Sequence, residues 1–120
     1  MIRNFSDLEA WKQAHQIALS VYKITQKYPR EEIFALTSQS RRAAASVGAN
    51  IAEGFSRNTK KDKIHFYAMA RGSLTELQNH MILSRDLGYV SPDSCSDFLK
   101  SSEWTIKLIA GLERSAADKN

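Results

Sequence analysis

Apolar residues recur every three or four positions through most of this 120-residue chain, the spacing of one face of an amphipathic helix. Leu8, Trp11, Ala14, Ile17, Val21, Ile24 and Tyr28 mark the first such face. Ser6 and Glu9 have the spacing of a capping box, with Phe5 as the hydrophobic staple before it. Pro29 ends the pattern, because the residue before a proline is driven out of the helical region. A helix over about residues 6–28 follows. The second helix is expected from about 35 to 54, with Gly54 as its C-terminal residue. At about 100° per residue, Arg42, Ser46, Asn50 and Glu53 form a polar stripe along it, beside an apolar stripe of Leu36, Ala43, Val47 and Ile51. The segment Ser46–Gly54 is almost bare of bulky side chains. Such a helix packs closely on its neighbours, with Asn50 or Glu53 partly buried and hydrogen-bonded.

Thr59 and Asp62 are capping candidates for a third helix over about 60–87, whose face carries Phe66, Met69, Ala70, Leu74, Leu77, Met81 and Leu87. Gly88 stops it. Ser91-Pro92-Asp93 is a start signal made of a capping hydroxyl, a proline at the first helical position and an acid in the first turn. It opens a fourth helix over about 92–114, carried by Cys95, Phe98, Leu99, Ser102, Ile106, Ile109 and Leu112. The polar tail from Ser115 to Asn120 is expected to fray. No segment sustains the alternation of a strand. Four helices of this length with short connections predict one all-α domain over 1–120, an antiparallel up-down-up-down four-helix bundle.

Composition changes this picture little. The 42% hydrophobic and 25% charged fractions are ordinary for a globular domain. A net charge of +4 suits nucleic acid, anionic surfaces or acidic proteins alike. Cys95 stands alone, which excludes an intramolecular disulfide and a zinc site built on paired cysteines. The start of the chain lacks a signal-peptide core, and no stretch approaches the roughly 20 apolar residues of a membrane span. Asn4-Phe5-Ser6 matches a glycosylation sequon, which without a secretory signal reads as chance. A cytoplasmic protein is expected, with no membrane association.

Candidate chemistry is thin. Ser73, Glu76 and His80 lie on one side of the third helix, but residues stacked along one helix do not readily bring nucleophile, base and oxyanion donors together. Gly72-Ser73 reads instead as a close helix crossing, with the Ser73 hydroxyl bonding the preceding turn. Glu53 beside Asn50 suggests a general base, yet neither a pocket nor a second catalytic group is evident, and structural roles at a packed contact are expected. Paired Glu-x-x-His motifs of two-metal bundles are missing, His15 and His65 have no partners at ligand spacing, and no phosphate-loop or nucleotide fingerprint occurs. The chain is therefore not expected to be an enzyme or to hold a metal or cofactor. The basic residues remain. Arg57, Lys60, Lys61 and Lys63 cluster at one end of the bundle, Arg41 and Arg42 lie up to about four turns away, and Lys12, Lys23, Lys27 and Arg30 mark the outside of the first helix. Arg41, Arg42, Arg57, Lys60, Lys61 and Lys63 are candidate contacts for RNA or DNA. With no aromatic stacking face, they would read phosphates rather than sequence.

The run Ser46-Val47-Gly48-Ala49-Asn50-Ile51-Ala52-Glu53-Gly54 resembles a bacterial family of four-helix bundles, first named for proteins encoded in intervening sequences of large-subunit ribosomal RNA genes and called ribosomal-protein-like. It includes accessory variability proteins of diversity-generating retroelements. The likeness spans most of the chain, through Phe5-Leu8-Trp11, Gln39-Arg41-Arg42-Ala43 and Phe66-Ala70-Gly72-Ser73-Leu74-Glu76-Leu77. Ser46, Asn50, Glu53, Gly54, Gly72, Ser73 and Glu76 thereby stand out as structural motif residues. Val47-Gly48 departs from the isoleucine and proline frequent in the family, a change expected to straighten the helix. The resemblance implies assembly into a ring, commonly a pentamer, which would raise +4 per subunit to about +20. For retroelement members it also implies nucleic acid and a reverse transcriptase as partners. An alternative is a scaffold whose oligomeric surface binds another protein.

Overall fold

The computed structural model describes residues 1–118. Four helices make up the fold: α1 (Glu9–Thr25), α2 (Leu36–Ser56), α3 (Lys60–Asp86) and α4 (Pro92–Ala117). Single 3-10 turns at Phe5–Asp7 and Arg30–Glu32 precede α1 and α2. No strand occurs among the described residues. Each helix packs on the next, and α1 closes the ring by packing on α4. The result is a four-helix bundle about 49 Å long and 25 by 21 Å across.

The interior is built from the apolar stripes. Ala14, Ile17 and Val21 of α1 meet Ala43, Val47 and Ile51 of α2, Leu74, Leu77 and Met81 of α3, and Cys95, Phe98 and Ile109 of α4. The third face differs from its sequence reading. Tyr67 and Ser84 are buried on α3, whereas Met69 is 44% and Leu87 50% exposed. Ala70, Leu74, Leu77 and Met81 are buried as the spacing predicts, so the departures are at the ends of the helix, where Phe66 is only partly covered. Two buried hydroxyls, those of Thr37 and Ser40, have no hydrogen-bond partner.

Helix ends divide by how local their chemistry is. Thr59 accepts from the Asp62 amide at 3.1 Å, and Ser91 accepts from the Ser94 amide at 3.1 Å with Pro92 at the first helical position. Gly88, at φ 83°, turns the chain after α3. At the start of the chain the capping box is Asn4 with Asp7, not Ser6 with Glu9. It caps the 3-10 turn, and the amides of Arg3 and Asn4 hold the Asp7 carboxyl below its usual range. Leu8 is extended, so α1 begins only at Glu9. Phe5 does pack nearby, edge-on to Trp11 with centroids 5.4 Å apart. Helix α1 ends at Thr25, several residues before Pro29, where the Thr25 hydroxyl turns back to the Val21 carbonyl at 2.7 Å.

Helix α2 is unbroken through Val47-Gly48 and continues past Gly54 to Ser56. Gly54 is therefore not a cap. A β-carbon there would stand 2.7 Å from Cε1 of Tyr67, and this glycine lets α3 approach. Gly72 is the reverse case: a β-carbon would meet nothing within 4 Å, so the expected close crossing is not at this residue. Helix α4 runs on to Ala117, because Ala116 is buried against the core rather than frayed. Residues 119 and 120 of the expected frayed tail lie outside the described residues.

Candidate functional site

The polar stripe of α2 faces α3. Ser46 and Ser73 share a hydroxyl contact at 2.9 Å across the helix pair. Asn50, half-buried, donates through Nδ2 to the Ser46 carbonyl at 2.9 Å and to the Ser46 hydroxyl at 3.0 Å. One turn or more away, Arg42 pairs with Glu76, and the same carboxylate oxygen contacts His80 Nε2 at 2.9 Å. Arg42 also donates to Gln39 at 3.0 Å. The seam is thus a ladder of paired polar groups above an apolar floor. Glu53 does not join it. It is exposed and pairs with Arg57 at 3.1 Å, one helical turn on.

This arrangement brings Glu76 and His80 together but not Ser73 with His80. The Ser73 hydroxyl is engaged with Ser46 instead of the preceding turn of its own helix, and the Glu76 oxygen is shared between Arg42 and His80. Among the described residues, no three His, Cys, Asp or Glu side chains form a group able to hold a metal ion.

The basic candidates separate in space. Arg57, Lys60, Lys61 and Lys63 gather at the corner where α2 passes into α3. Lys63 closes the C-terminus of α2, donating to the carbonyls of Gly54 at 3.2 Å and Phe55 at 2.7 Å. A cation suits that end of the helix dipole. Arg57 lies over the Phe66 ring, 4.6 Å from its centroid. Lys60 and Lys61 are exposed. Arg41 is directed to α1, where its Nε donates to Thr25 at 2.8 Å and its guanidinium covers Tyr22 at 4.8 Å. Arg42 belongs to the seam.

Several anchoring pairs escaped the sequence pattern. Arg71 of α3 grips Glu113 of α4 with two bonds, at 2.5 and 2.9 Å, which hold the guanidinium more firmly protonated. Gln78 donates to Ser102 at 2.8 Å, and Tyr89 donates to Glu32 at 2.8 Å across the α1–α2 and α3–α4 connections. Helical spacing within a chain segment carries no signal for such pairs between helices. A shallow apolar groove also opens between α1 and α2. It has a volume of about 350 Å³, with Trp11, Leu19 and Tyr22 on one bank and Ala45, Gly48 and Ala49 on the other.

Together these features define an all-α bundle protein, its α2–α3 seam polar, small-sided and internally paired. Residues 6–111 match the model of the 23S rRNA-intervening sequence protein family, and the chain belongs to that family. A protein of unknown function from the S23 ribosomal protein family of Bacteroides thetaiotaomicron has a similar crystal structure. It has a TM-score of 0.80 at 19% identity, over 88% of this chain and 95% of that one. No curated protein matches. The fold is thus shared with a family whose function is not established. No helix among the described residues is long and apolar enough to cross a membrane.

Proposed function

We propose that this chain is a non-enzymatic, cytoplasmic interaction protein that assembles with copies of itself and binds RNA or DNA through the basic α2–α3 corner. The observation that carries this reading is the division of polar groups. Those of the seam, including Ser73, Glu76 and His80, are paired across or along the helices, whereas Lys60 and Lys61 remain exposed beside Arg57. Four cations at the corner stand against Glu53 and Asp62, so one copy is a weak polyanion binder. Repetition in an assembly is what makes the corner effective. The apolar α1–α2 groove, with Leu19 54% exposed and Tyr22 46% exposed, supports self-association. Arg41 and Arg42 lie outside the corner and contribute less, because their guanidinium groups hold α1 and the seam.

Binding of labelled RNA and of duplex DNA, followed by anisotropy across a salt series, tests the reading. Log affinity should fall linearly with log salt, and Lys60→Gln/Lys61→Gln should flatten the slope by about 0.7–0.9 for each phosphate no longer neutralised. Light scattering should show an oligomer. Absence of binding at low salt overturns the nucleic-acid reading, and a strictly monomeric species overturns the assembly on which it depends.

A further inference from the structure

At the other end of the bundle, beneath the α1–α2 connection, lies a second hollow of about 420 Å³. Its lining residues include Arg30 and Arg41 and no acid. Glu32, in the adjoining turn, is outside the lining and has both oxygens engaged. One of its oxygens accepts from the Leu36 amide at 3.3 Å and the other from Tyr89. Two guanidinium groups sharing a hollow without an acid select for an anion.

Two further observations point to a ligand. Thr37 lines the hollow, is only 5% exposed, and its hydroxyl has no partner. A buried donor left unpaired is costly and is matched when an acceptor arrives. The hollow also adjoins the start of α2, a 21-residue helix whose N-cap, Ala35, supplies no side chain to its first amides. Its first amide, that of Leu36, is met by Glu32, and the positive end of the helix dipole still favours negative charge nearby. Arg41 is already fixed in place: Nε donates to Thr25 at 2.8 Å and Nη2 to the Tyr22 carbonyl at 3.4 Å. Its remaining donors need little ordering to meet a ligand.

We propose that this hollow binds a phosphate monoester, with Arg30 and Arg41 clamping its oxygens and the Thr37 hydroxyl donating to one of them. A doubly charged monoester matches two guanidinium groups, each able to form paired N–H···O bonds. The volume suits a ligand of nucleotide size. A free nucleotide and the 5′ end of a nucleic acid present the same group. The site lies at the opposite end of the bundle from Lys60 and Lys61 and is independent of the corner, so either can fail without the other.

Calorimetric titration of the intact protein with inorganic phosphate, AMP, and an oligonucleotide carrying either a 5′-phosphate or a 5′-hydroxyl tests the proposal. Saturable binding of AMP is expected, and preference for the phosphorylated oligonucleotide over its hydroxyl twin would extend the site to nucleic-acid ends. Binding of the phosphorylated oligonucleotide alone would also support the site and assign it to ends only. Arg30→Gln, a change at the rim of the hollow, should weaken binding about tenfold or more, the scale of one lost charge-assisted bond. Thr37→Val should weaken it severalfold without lowering the melting temperature, since it removes an unpaired hydroxyl. Lys60→Gln/Lys61→Gln should leave AMP affinity unchanged. No saturable binding of any phosphate probe at millimolar concentration, or equal affinity in Arg30→Gln, overturns the proposal.

Discussion

Two glycines on facing helices separate what a residue does from what its neighbourhood suggests. A methyl group on Gly54 would meet Tyr67 at 2.7 and 2.8 Å, and Tyr67 is only 4% exposed, so its ring has little room to move. Alanine gains about 1 kcal/mol of helix propensity over glycine, but overpacking a core contact costs about 1–3 kcal/mol. Gly54→Ala should therefore destabilise by up to about 2 kcal/mol in urea unfolding, with Tyr67→Leu in the same chain restoring part of the loss. Gly72→Ala meets no atom within 4 Å and should stabilise by about 0.5–1 kcal/mol. Equal effects at the two positions would contradict this account. The stripe made Asn50 or Glu53 legible as a partly buried, hydrogen-bonded group; Asn50 is that group, while Glu53 is exposed. The Ser73 partner of Ser46 was not legible, because spacing along a helix does not name the atom across from it. For Asn50→Leu, both Nδ2 bonds to Ser46 are lost while Ser46 keeps its contact with Ser73, and a cost of about 1–3 kcal/mol is expected.

At the scale of the element, caps were readable where the donor and acceptor lie within one turn. Thr59 and Ser91 perform as their sequence context implies. Ser91→Ala should cost about 1 kcal/mol of stability and leave α4 helical by circular dichroism; a loss of less than a few tenths would mean that Pro92 alone sets the start. The N-terminal signal failed because Asn4 and Ser6 both offer capping oxygens three residues before an acid. The backbone takes the earlier pair and uses it to close a 3-10 turn. The far end of α4 departs from expectation for a different reason. Ser115 and Asp118 look like a tail, but Ala116 lies at the correct phase to reach the core, and burial outweighs composition. The α3 face keeps its expected centre, and at its N-terminal end Tyr67 rather than Phe66 is buried, its ring lying where Gly54 makes room.

At the scale of the whole molecule, the fold was legible because four amphipathic periods with short connections leave few arrangements other than a bundle. Its functional surfaces were less so. The α2–α3 corner can be read as a charge cluster in the sequence, but not that Lys63 would be committed to the end of α2. The hollow under the α1–α2 connection draws on Thr37 and Arg41, one turn apart on α2, and on Arg30 of the preceding turn, and only folding brings Arg30 to them.

The directional contacts are also unevenly shared among the helices. Helix α3 is tied to α2 by Arg42–Glu76 and Ser46–Ser73, and to α4 by Arg71–Glu113 and Gln78–Ser102. Among the described residues, helix α1 is tied by Arg41 alone, through Thr25 and Tyr22, and otherwise rests on apolar packing of Ala10, Trp11, Ala14, Ile17 and Val21. In directional contacts α1 is thus the least tied of the four helices. In native-state hydrogen exchange, α1 amides should open at lower free energy than those of α3, as one cooperative unit. Exchange of α1 and α3 at the same rate would show that the bundle opens only as a whole. An opening confined to α1 would expose Ala43, Ala44 and Val47, which are fully buried in the closed bundle.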